Sequence, residues 1–484
     1  MGTKTKIEWT EATSEHAGIV LYHGDCREVL AGLPENSVDS VVCDPPYDLT
    51  ANKKGGTGEA SVNLNSPFGR ARITTGFMGK KWDGTGVAFD PETWKAVLRV
   101  MKPGAHLVAF GGSRTYHRLA CAIEDAGFEI RDQIQWIYGS GFPKSLDVSK
   151  AIDAHLGAER EVIGMRRVIP GVAFEQSSPY ATGKTMIPAT APATAYDGWG
   201  TALKPAHEPI VLARKPFGCT VAENVLTYGT GGLNIDACRI GYVHQEDKAA
   251  AAAAARRSCQ DETGNGKGIA SFQHSTQTRG IESLPEFYEN QEKGRWPANV
   301  IHDGSDEVLA HFPDAPGALR PVNGSEKPKT GTAVYGDYGP RPSCEPRDDF
   351  GSAARFFYCA KASKEDREEG LDDLPIRSAG EVTERQEGTA GLNSPRAGAG
   401  RTNGSRNHHP TVKPVELMRY LVRLVTPLGG VCLDPFAGSG STGKACAMED
   451  VRAILIEKEI EYCELAARRV RLSQPRLFGA VANA

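Results

Sequence analysis

Paired cysteines are missing from this chain of 484 residues. Its eleven cysteines are scattered, and no two have the two-residue spacing that is typical of zinc and redox motifs. This pattern argues against a structural zinc site and against a disulfide framework, and it fits a reducing cytoplasm. His408 and His409 stand side by side, but no carboxylate or cysteine follows at a ligand spacing, so we expect no metal.

Long apolar runs and a strong charge of one sign are missing as well. No stretch of 18 apolar residues occurs, so we expect no membrane span, and the first six residues, MGTKTK, lack the apolar core of a signal peptide. The net charge is only −4 and the pI is about 6.3. The chain as a whole therefore does not attract phosphate, and a nucleic-acid partner would require a local basic patch. We expect a cytoplasmic protein.

Apolar and amphipathic segments alternate in two parts of the chain. In the first 140 residues, strand candidates (19–22, 38–43, 105–110 and 129–138) alternate with helix candidates (25–33, 91–101 and 116–126). Near the end, a helix, a strand, a helix, a strand and a helix follow one another at 414–426, 430–433, 442–448, 453–456 and 459–472. This alternation predicts a parallel α/β sheet. Between the two parts lie irregular segments rich in Gly, Pro and Ser, among them 323–352 and 378–407.

A glycine-rich segment, DPFAGSGSTGK at 434–444, follows an apolar strand and opens a helix. The part from Gly438 to Lys444 is close to the phosphate loop of nucleotide triphosphatases. That motif needs Ser or Thr directly after the lysine to hold magnesium, and the next residue here is Ala445. An ATP-dependent nucleic-acid-binding protein that uses the 438–444 loop is an alternative from another functional class, and Ala445 makes it the weaker interpretation.

The same segment is also typical of a nucleoside cofactor that lies across the end of a strand. Gly438 and Gly440 let the backbone approach a ligand closely, and the junction of strand and helix supplies free amides. The next strand ends in Glu457, where a carboxylate can accept hydrogen bonds from ribose hydroxyls. Asp434 either caps the helix or faces the charged end of the cofactor, and the sequence leaves both roles open.

The stretch CDPPYDLT at 43–50 ends another strand in a rigid, polar corner. Pro45 and Pro46 fix two φ angles and remove two amide donors, so the carbonyls there are free acceptors. Asp44 adds a carboxylate and Tyr47 a flat ring. These groups suit a planar NH2 group such as the exocyclic amine of a nucleobase, because two acceptors take its hydrogens while the ring stacks on the base. A base in a duplex must be flipped out to reach such a pocket.

Together, DPPY at 44–47 and DPFAGSG at 434–440 resemble motifs of the DNA amino-methyltransferases, which move a methyl group from S-adenosylmethionine to adenine N6 or cytosine N4. The order of the two motifs resembles the beta class of that family, a circular permutation of the usual order. Further segments similar to the family are GDCREVL (24–30), HEPIVLARK (207–215) and HPTVKPVELMRYL (409–421). The interval between the two main motifs is longer than is usual in the family, and we expect the excess to house target recognition.

The resemblance implies a fold and a set of site residues. The implied fold is α/β and Rossmann-like, with a circularly permuted, seven-stranded, mostly parallel sheet and a large, partly irregular insertion. The implied catalytic residues are Asp44, Pro45, Pro46 and Tyr47. The implied cofactor-binding residues are Asp25 and Cys26 near the adenine, Thr411 and Lys413 near the methionine end, Glu457 on the ribose, and Asp434, Phe436, Gly438, Ser439, Gly440 and Thr442 at the glycine-rich segment.

The same resemblance divides the chain. We expect residues 1–216 to form the N-terminal part of the catalytic core, with a Pro/Gly-rich insertion at about 143–198. Residues 405–475 would form the C-terminal, cofactor-binding part. Residues 217–404 would be a partly disordered target-recognition region, and 476–484 a tail.

The resemblance also implies partners and a substrate. It favours adenine N6, because N4-cytosine members of the family more often carry Ser where Asp44 stands. N4-cytosine methylation and methylation of a glutamine amide stay open as alternatives. The implied partner is double-stranded DNA in a bacterial or phage-infected cell, and a homodimer and a cognate restriction enzyme stay open as further partners.

Overall fold

A computed structural model gives the structure of the protein. It describes residues 5–8, 18–48, 85–141, 145–167, 182–186, 188–243, 247–248, 293–314, 351–360, 364–378, 381, 404–409 and 411–472. The chain forms two compact units, the first from residues 1–234, 301–305 and 360–484 and the second from 235–300 and 306–359. Most of the predicted irregular segments (323–350 and 382–403) and the predicted tail (476–484) lie outside the described residues.

The strands of the described residues are, in chain order, β1 (Thr5–Glu8), β2 (Ile19–His23), β3 (Val38–Cys43), β4 (Met101–Phe110), β5 (Glu129–Ile137), β6 (Val162–Arg167), β7 (Thr182–Met186), β8 (His207–Arg214), β9 (Val300–His302), β10 (Tyr358–Cys359), β11 (Val431–Asp434) and β12 (Arg452–Glu457). The α-helices are α1 (Cys26–Ala31), α2 (Pro91–Val100), α3 (Tyr116–Asp125), α4 (Val148–Leu156), α5 (Ala191–Ala195), α6 (Val221–Tyr228), α7 (Asp306–Leu309), α8 (Lys364–Glu368), α9 (Val415–Val425), α10 (Ser441–Met448) and α11 (Ile460–Leu472).

The first unit is built on one mixed sheet, with strands in the order β1-β2-β12-β11-β3-β4-β8-β5-β9. The strands from β2 to β4 in this order are parallel, and β8 runs antiparallel to both β4 and β5. The predicted α/β, mostly parallel fold is confirmed. The sheet contains more than the seven predicted strands, because β1 and β9 extend its edges with four and three residues, too few for a periodic pattern.

The permuted order of the chain is visible in the sheet. Strands β11 and β12 come from the end of the sequence but lie between β2 and β3 from its beginning. Leu433 pairs with Val41, and Leu455 pairs with Leu21. The glycine-rich segment therefore begins beside the end of β3, although hundreds of residues separate the two in sequence.

The core fixes the position of β3. Val41 and Cys43 of β3 are fully buried in one cluster with Trp94 and Val97 of α2. Helix α2 begins as the sequence predicts, with Pro91 in the first turn and the Asp90 carboxylate accepting from the Glu92 amide at 3.0 Å. Burial of each large apolar side chain contributes about 1.5–3 kcal/mol. The strand that carries the DPPY corner is thus held rigidly from both sides.

The region of the predicted insertion at 143–198 contains regular structure among its described residues. Helix α4 is followed by β6 and β7, which pair antiparallel, and by α5. The Asp153 carboxylate is buried and ties this segment together, because it accepts from Arg160 Nε at 2.6 Å, from Thr190 Oγ1 at 2.7 Å and from the Ala189 amide at 3.0 Å.

The second unit has a small polar centre. The buried Asp247 carboxylate accepts hydrogen bonds from Arg295 and from Arg355, the latter at 3.0 Å. Burial by itself raises the pKa of Asp247, but these bonds and the Val243 amide outweigh it, and the pKa falls to about 2. The guanidinium of Arg355 stacks on Phe356, 4.5 Å from the ring centroid. The division of the chain into core and target-recognition region stays a prediction.

No helix among the described residues is long and apolar enough to cross a membrane.

Candidate functional site

A cavity of about 1040 Å³ opens at the carboxyl ends of the parallel strands in the first unit. Strands β2, β3, β11 and β12 all end at this edge, so the loops that follow them meet there. The volume slightly exceeds the usual range for small-molecule pockets, about 300–1,000 Å³.

Nearly all of the predicted site residues meet in this cavity. Its lining includes Asp25, Cys26, Asp44, Pro45, Pro46, Tyr47, Thr411, Lys413, Asp434, Phe436, Gly438, Ser439, Thr442 and Glu457. Gly440 is not among the lining residues. A Cβ atom at that position would lie 2.8 Å from the Ala466 Cα of α11, so the glycine there permits close packing of loop and helix.

The carboxylate of Asp44 has two different oxygens. Its Oδ2 accepts from the Lys413 ammonium at 2.5 Å. Its Oδ1 is buried and, among the described residues, has no hydrogen-bond partner. A buried acceptor without a donor costs about 1–3 kcal/mol, which a ligand donor at this position would remove. Oδ1 is therefore a point in the cavity that favours an N–H group of a ligand.

Lys413 lies between two carboxylates. Its ammonium is 3.3 Å from Glu208 Oε2 as well as 2.5 Å from Asp44 Oδ2. Burial by itself lowers the pKa of Lys413, but the charges of Asp44 and Glu208 outweigh it, and the pKa is raised. Lys413 is thus a buried cation, and its charged end lies at Asp44, the carboxylate of the DPPY corner.

The ring of Tyr47 is fixed at both ends. Its hydroxyl donates to Glu208 Oε2 at 2.9 Å, and its backbone carbonyl accepts from Thr115 Oγ1 at 2.9 Å. Burial, followed by the charges of Asp44 and Glu208, raises the pKa of Tyr47 well above its ordinary value. The side chain is therefore a neutral phenol, and its ring faces the cavity in one orientation.

The glycine-rich loop is held by two buried carboxylates. Asp434 accepts from the Phe436 amide at 3.0 Å and from Thr442 Oγ1 at 2.5 Å. Glu457 accepts from the Gly438 amide at 2.7 Å and from the Glu459 amide at 2.8 Å. Of the two roles considered for Asp434, capping of helix α10 is not observed, because the N-cap of that helix is Gly440. Asp434 instead anchors the loop and lines the cavity.

The same two carboxylates are difficult to ionise. Burial raises the pKa of Asp434 to about 7, with the Asp44 charge adding to the shift and its hydrogen bonds opposing it. Burial likewise raises the pKa of Glu457 to about 7, against the backbone hydrogen bonds that it accepts. A cationic ligand in the cavity would favour the ionised form of both groups.

This arrangement predicts that stability depends on pH. A carboxyl group with a raised folded-state pKa stabilises the fold fully below its unfolded pKa of about 4, and this contribution is lost as pH rises through about 7. Asparagine does not ionise, so between pH 4 and pH 8 we expect the free energy of unfolding of Asp434→Asn to fall less than that of the wild type, by roughly 3–4 kcal/mol. Urea unfolding at several pH values measures the free energy of unfolding. If this free energy changes equally between pH 5 and pH 8 in the variant and in the wild type, the raised pKa does not belong to Asp434.

Asp25 and Cys26 line the cavity at the start of α1. The Asp25 carboxylate caps α1 and accepts from the Arg27 amide at 3.1 Å. Burial opposes ionisation of Asp25, but hydrogen bonds and charge from Arg27 outweigh it, and its pKa is lowered. Burial raises the pKa of the Cys26 thiol to about 12, so Cys26 is a neutral wall residue and not a nucleophile.

Lys444, the residue that suggested a phosphate loop, points elsewhere. Its ammonium contacts Glu369 and lies 3.8 Å from Asp366, and it is not among the residues that line the cavity. The nearby Arg469 is also buried and donates to the Ser439 carbonyl at 2.6 Å and to Ser439 Oγ at 3.0 Å. Both cations hold the glycine-rich loop and helix α10 in place.

Sequence reasoning missed three residues that shape the site: Glu208, His409 and Arg469. Glu208 and His409 lie in segments that are similar to the family, but no local pattern distinguishes them as site residues. Burial lowers the pKa of His409 to about 3, and a Cβ atom on Gly438 would lie only 2.9 Å from its Nε2. The imidazole is therefore a neutral surface against which the loop packs.

Comparison with known proteins gives a family and several relatives. The family model N6_N4_Mtase, described as DNA methylase, matches residues 38–468. The Type II methyltransferase M.HindIII of Haemophilus influenzae is 24% identical over 238 residues, which are 44% of this chain and 64% of that protein. The Type II methyltransferase M2.MboI of Moraxella bovis is 40% identical over 73 residues, 15% of this chain and 27% of that protein. The chain thus spans less than two thirds of the length of these two relatives.

Solved structures similar to this chain include PvuII DNA methyltransferase (cytosine-N4-specific), with a TM-score of 0.37 and 12% identity over 93% of this chain and 86% of that one. They also include the M1.HpyAVI–SAM complex, with a TM-score of 0.31 and 12% identity over 93% of this chain and 98% of that one.

Proposed function

The chain belongs to the DNA methylase family that matches residues 38–468, and from this premise we propose that it transfers a methyl group from S-adenosylmethionine to the N6 amine of adenine in duplex DNA. The observation that carries this proposal is the buried Asp44 Oδ1, which has no partner among the described residues. An exocyclic amine supplies the N–H donor that this oxygen lacks. The neighbouring Tyr47 ring offers the base a stacking surface.

The cavity fits the cofactor as well as the base. Asp434 and Glu457 place two buried carboxylates at the glycine-rich loop, and a ligand with a positive charge and hydroxyl donors would stabilise their ionised forms. Glu457 and Asp25 would hold the ribose and the adenine, and the loop from Phe436 to Thr442 would contact the methionine part. S-adenosylmethionine, when bound, supplies an activated methyl group on a positively charged sulfur.

The residues of the DPPY corner would prepare the amine. Asp44 Oδ1 accepts one of its hydrogens, and the Pro45 carbonyl accepts the other, which directs the nitrogen lone pair away from the base plane. Tyr47 stacks on the flipped base and offsets part of the few kcal/mol that flipping costs. Asp44 Oδ1 then lies where it can take the proton that the methylated amine must release.

The choice of adenine depends on the family pattern. Asp at position 44 favours N6-adenine over N4-cytosine, and the two relatives named above do not decide between them. Double-stranded DNA is the proposed partner. A homodimer and a cognate restriction enzyme stay open as further partners.

The ATP-dependent alternative makes a contrasting prediction for Lys444. Because this ammonium is paired with Glu369 and Asp366 away from the cavity, Lys444→Met should lower the thermal unfolding midpoint by several degrees. We expect no ATP hydrolysis from the wild-type protein, with or without DNA. Hydrolysis that disappears in the variant would favour the alternative.

The proposed function can be tested in cells. The chain is expressed in a bacterial host that lacks its own DNA methyltransferases, and the host DNA is sequenced by a method that detects modified bases. We expect N6-methyladenine at one recurring sequence, and no modification in cells that express Asp44→Ala. Unmodified DNA in cells that contain the folded wild-type protein would contradict the proposal.

A further inference from the structure

We propose that Glu208 is a positioning residue that sets the charge of the target pocket. This inference rests on the proposed function and deepens it. Three of the charged side chains that line the cavity, Asp44, Lys413 and Glu208, form one chain of contacts. Distances of 2.5 Å and 3.3 Å join the ammonium to the two carboxylates.

Glu208 changes the net charge of the three side chains. Asp44 and Lys413 alone would form a neutral pair, in which the adjacent ammonium fully compensates the charge of the carboxylate. Glu208 supplies a second negative charge to the same ammonium, so the three groups together carry one negative charge. Tyr47, which also contacts Glu208, contributes none, because its pKa is raised well above the ordinary value.

The chemistry of the amine gives this charge a purpose. The nitrogen gains positive charge as its bond to the methyl carbon forms, and it loses that charge only when a proton leaves. Fixed negative charge beside the nitrogen stabilises the transition state more than the neutral ground state. Glu208 does not need to touch the base, because its charge acts through Lys413 on the basicity and field of Asp44.

Glu208 also keeps Tyr47 in place, and the two roles can be separated. A glutamine at position 208 retains an oxygen that can accept from the Tyr47 hydroxyl, so Glu208→Gln removes the charge and keeps the contact. Tyr47→Phe removes the contact and keeps the charge. The charge effect should therefore appear in the first variant and be small in the second.

The decisive experiment compares Glu208→Gln, Lys413→Gln and the double variant in methyl transfer to duplex DNA. We expect Glu208→Gln to lower kcat about 100-fold, while KM for DNA and Kd for S-adenosylmethionine change less than about threefold. The double variant restores one net negative charge, and we expect its kcat to be at least about tenfold higher than that of Glu208→Gln. A residue with only a structural role would give a double variant worse than either single one.

The controls distinguish failure of this inference from failure of the proposed function. Glu129→Gln removes a carboxylate that pairs with Arg214 at 2.6 Å in the same sheet, outside the residues that line the cavity, and should leave kcat unchanged. A wild-type protein without any methyl transfer would refute the proposed function. An active wild type with an equally active Glu208→Gln, or a folded, cofactor-binding double variant with less than about one-tenth of wild-type kcat, would refute the role of Glu208. If Glu208→Gln does not fold, the kcat of the double variant alone tests the role of Glu208.

Discussion

Asp44→Ala is expected to lower kcat for methyl transfer to duplex DNA by about 1000-fold or more, with Kd for S-adenosylmethionine nearly unchanged. The substitution removes the buried Oδ1 that would accept the amine hydrogen and take its proton. Lys413 keeps Glu208 as a partner at 3.3 Å, so no buried cation is left unpaired and the fold should survive. The glycine-rich loop makes its contacts with Asp434 and Glu457 and not with Asp44.

Single-turnover transfer of a labelled methyl group, together with calorimetric titration of the cofactor, measures the two quantities separately. Asp372→Ala, an exposed carboxylate in the same unit, is the matched control and should resemble the wild type. Transfer by Asp44→Ala within tenfold of the wild type would mean that Asp44 does not receive the amine. Loss of cofactor binding would mean that the two halves of the site are not separable as proposed.

Gly440→Ala is expected to abolish cofactor binding and to lower the free energy of unfolding by roughly 2–5 kcal/mol. Gly440 has φ +79°, where a side chain is strained, and a Cβ atom there would lie 2.8 Å from both Cα and Cβ of Ala466. Neither backbone can move freely, because the Gly440 amide donates to the Ala437 carbonyl at 2.8 Å and Ala466 lies inside α11. The loop would have to shift, and the Gly438 amide would lose its position on Glu457.

Gly429→Ala is the matched control for this variant. Gly429 also has a positive φ, +67°, but a Cβ atom there would meet no described atom within 4 Å. Only the conformational strain remains, roughly 1–2 kcal/mol, and cofactor affinity should not change. Urea unfolding and cofactor titration of both variants compare the two cases, and equal effects would show that close packing against Ala466 is unimportant.

Much of the fold could be predicted because parallel strands leave strong local signals. The mostly apolar stretch Val38–Cys43 becomes β3 with the predicted bounds, and α2 begins at Pro91, as predicted. The meeting of DPPY with the glycine-rich segment follows from the pairing of β11 with β3. Local patterns cannot give that pairing, and it was the resemblance to the beta class of amino-methyltransferases that indicated it.

The remaining features depend on contacts between distant residues. Glu208 reaches Tyr47 from the antiparallel strand β8, and Lys413 reaches Asp44 from the segment before α9. No spacing in the sequence marks these pairs, because each is created by the order of strands in the sheet. The raised pKa values of Asp434 and Glu457 were equally hidden, since they result from burial and not from neighbours in sequence.

The most direct test of the central claim is to identify the methylated atom. Duplex DNA is incubated with purified protein and S-adenosylmethionine carrying a labelled methyl group, digested to nucleosides and separated against standards. We expect the label to be recovered as N6-methyldeoxyadenosine, and we expect no label in DNA incubated with Asp44→Ala. Label in N4-methyldeoxycytidine would contradict the assignment to adenine, and DNA without label would contradict the function proposed for this site.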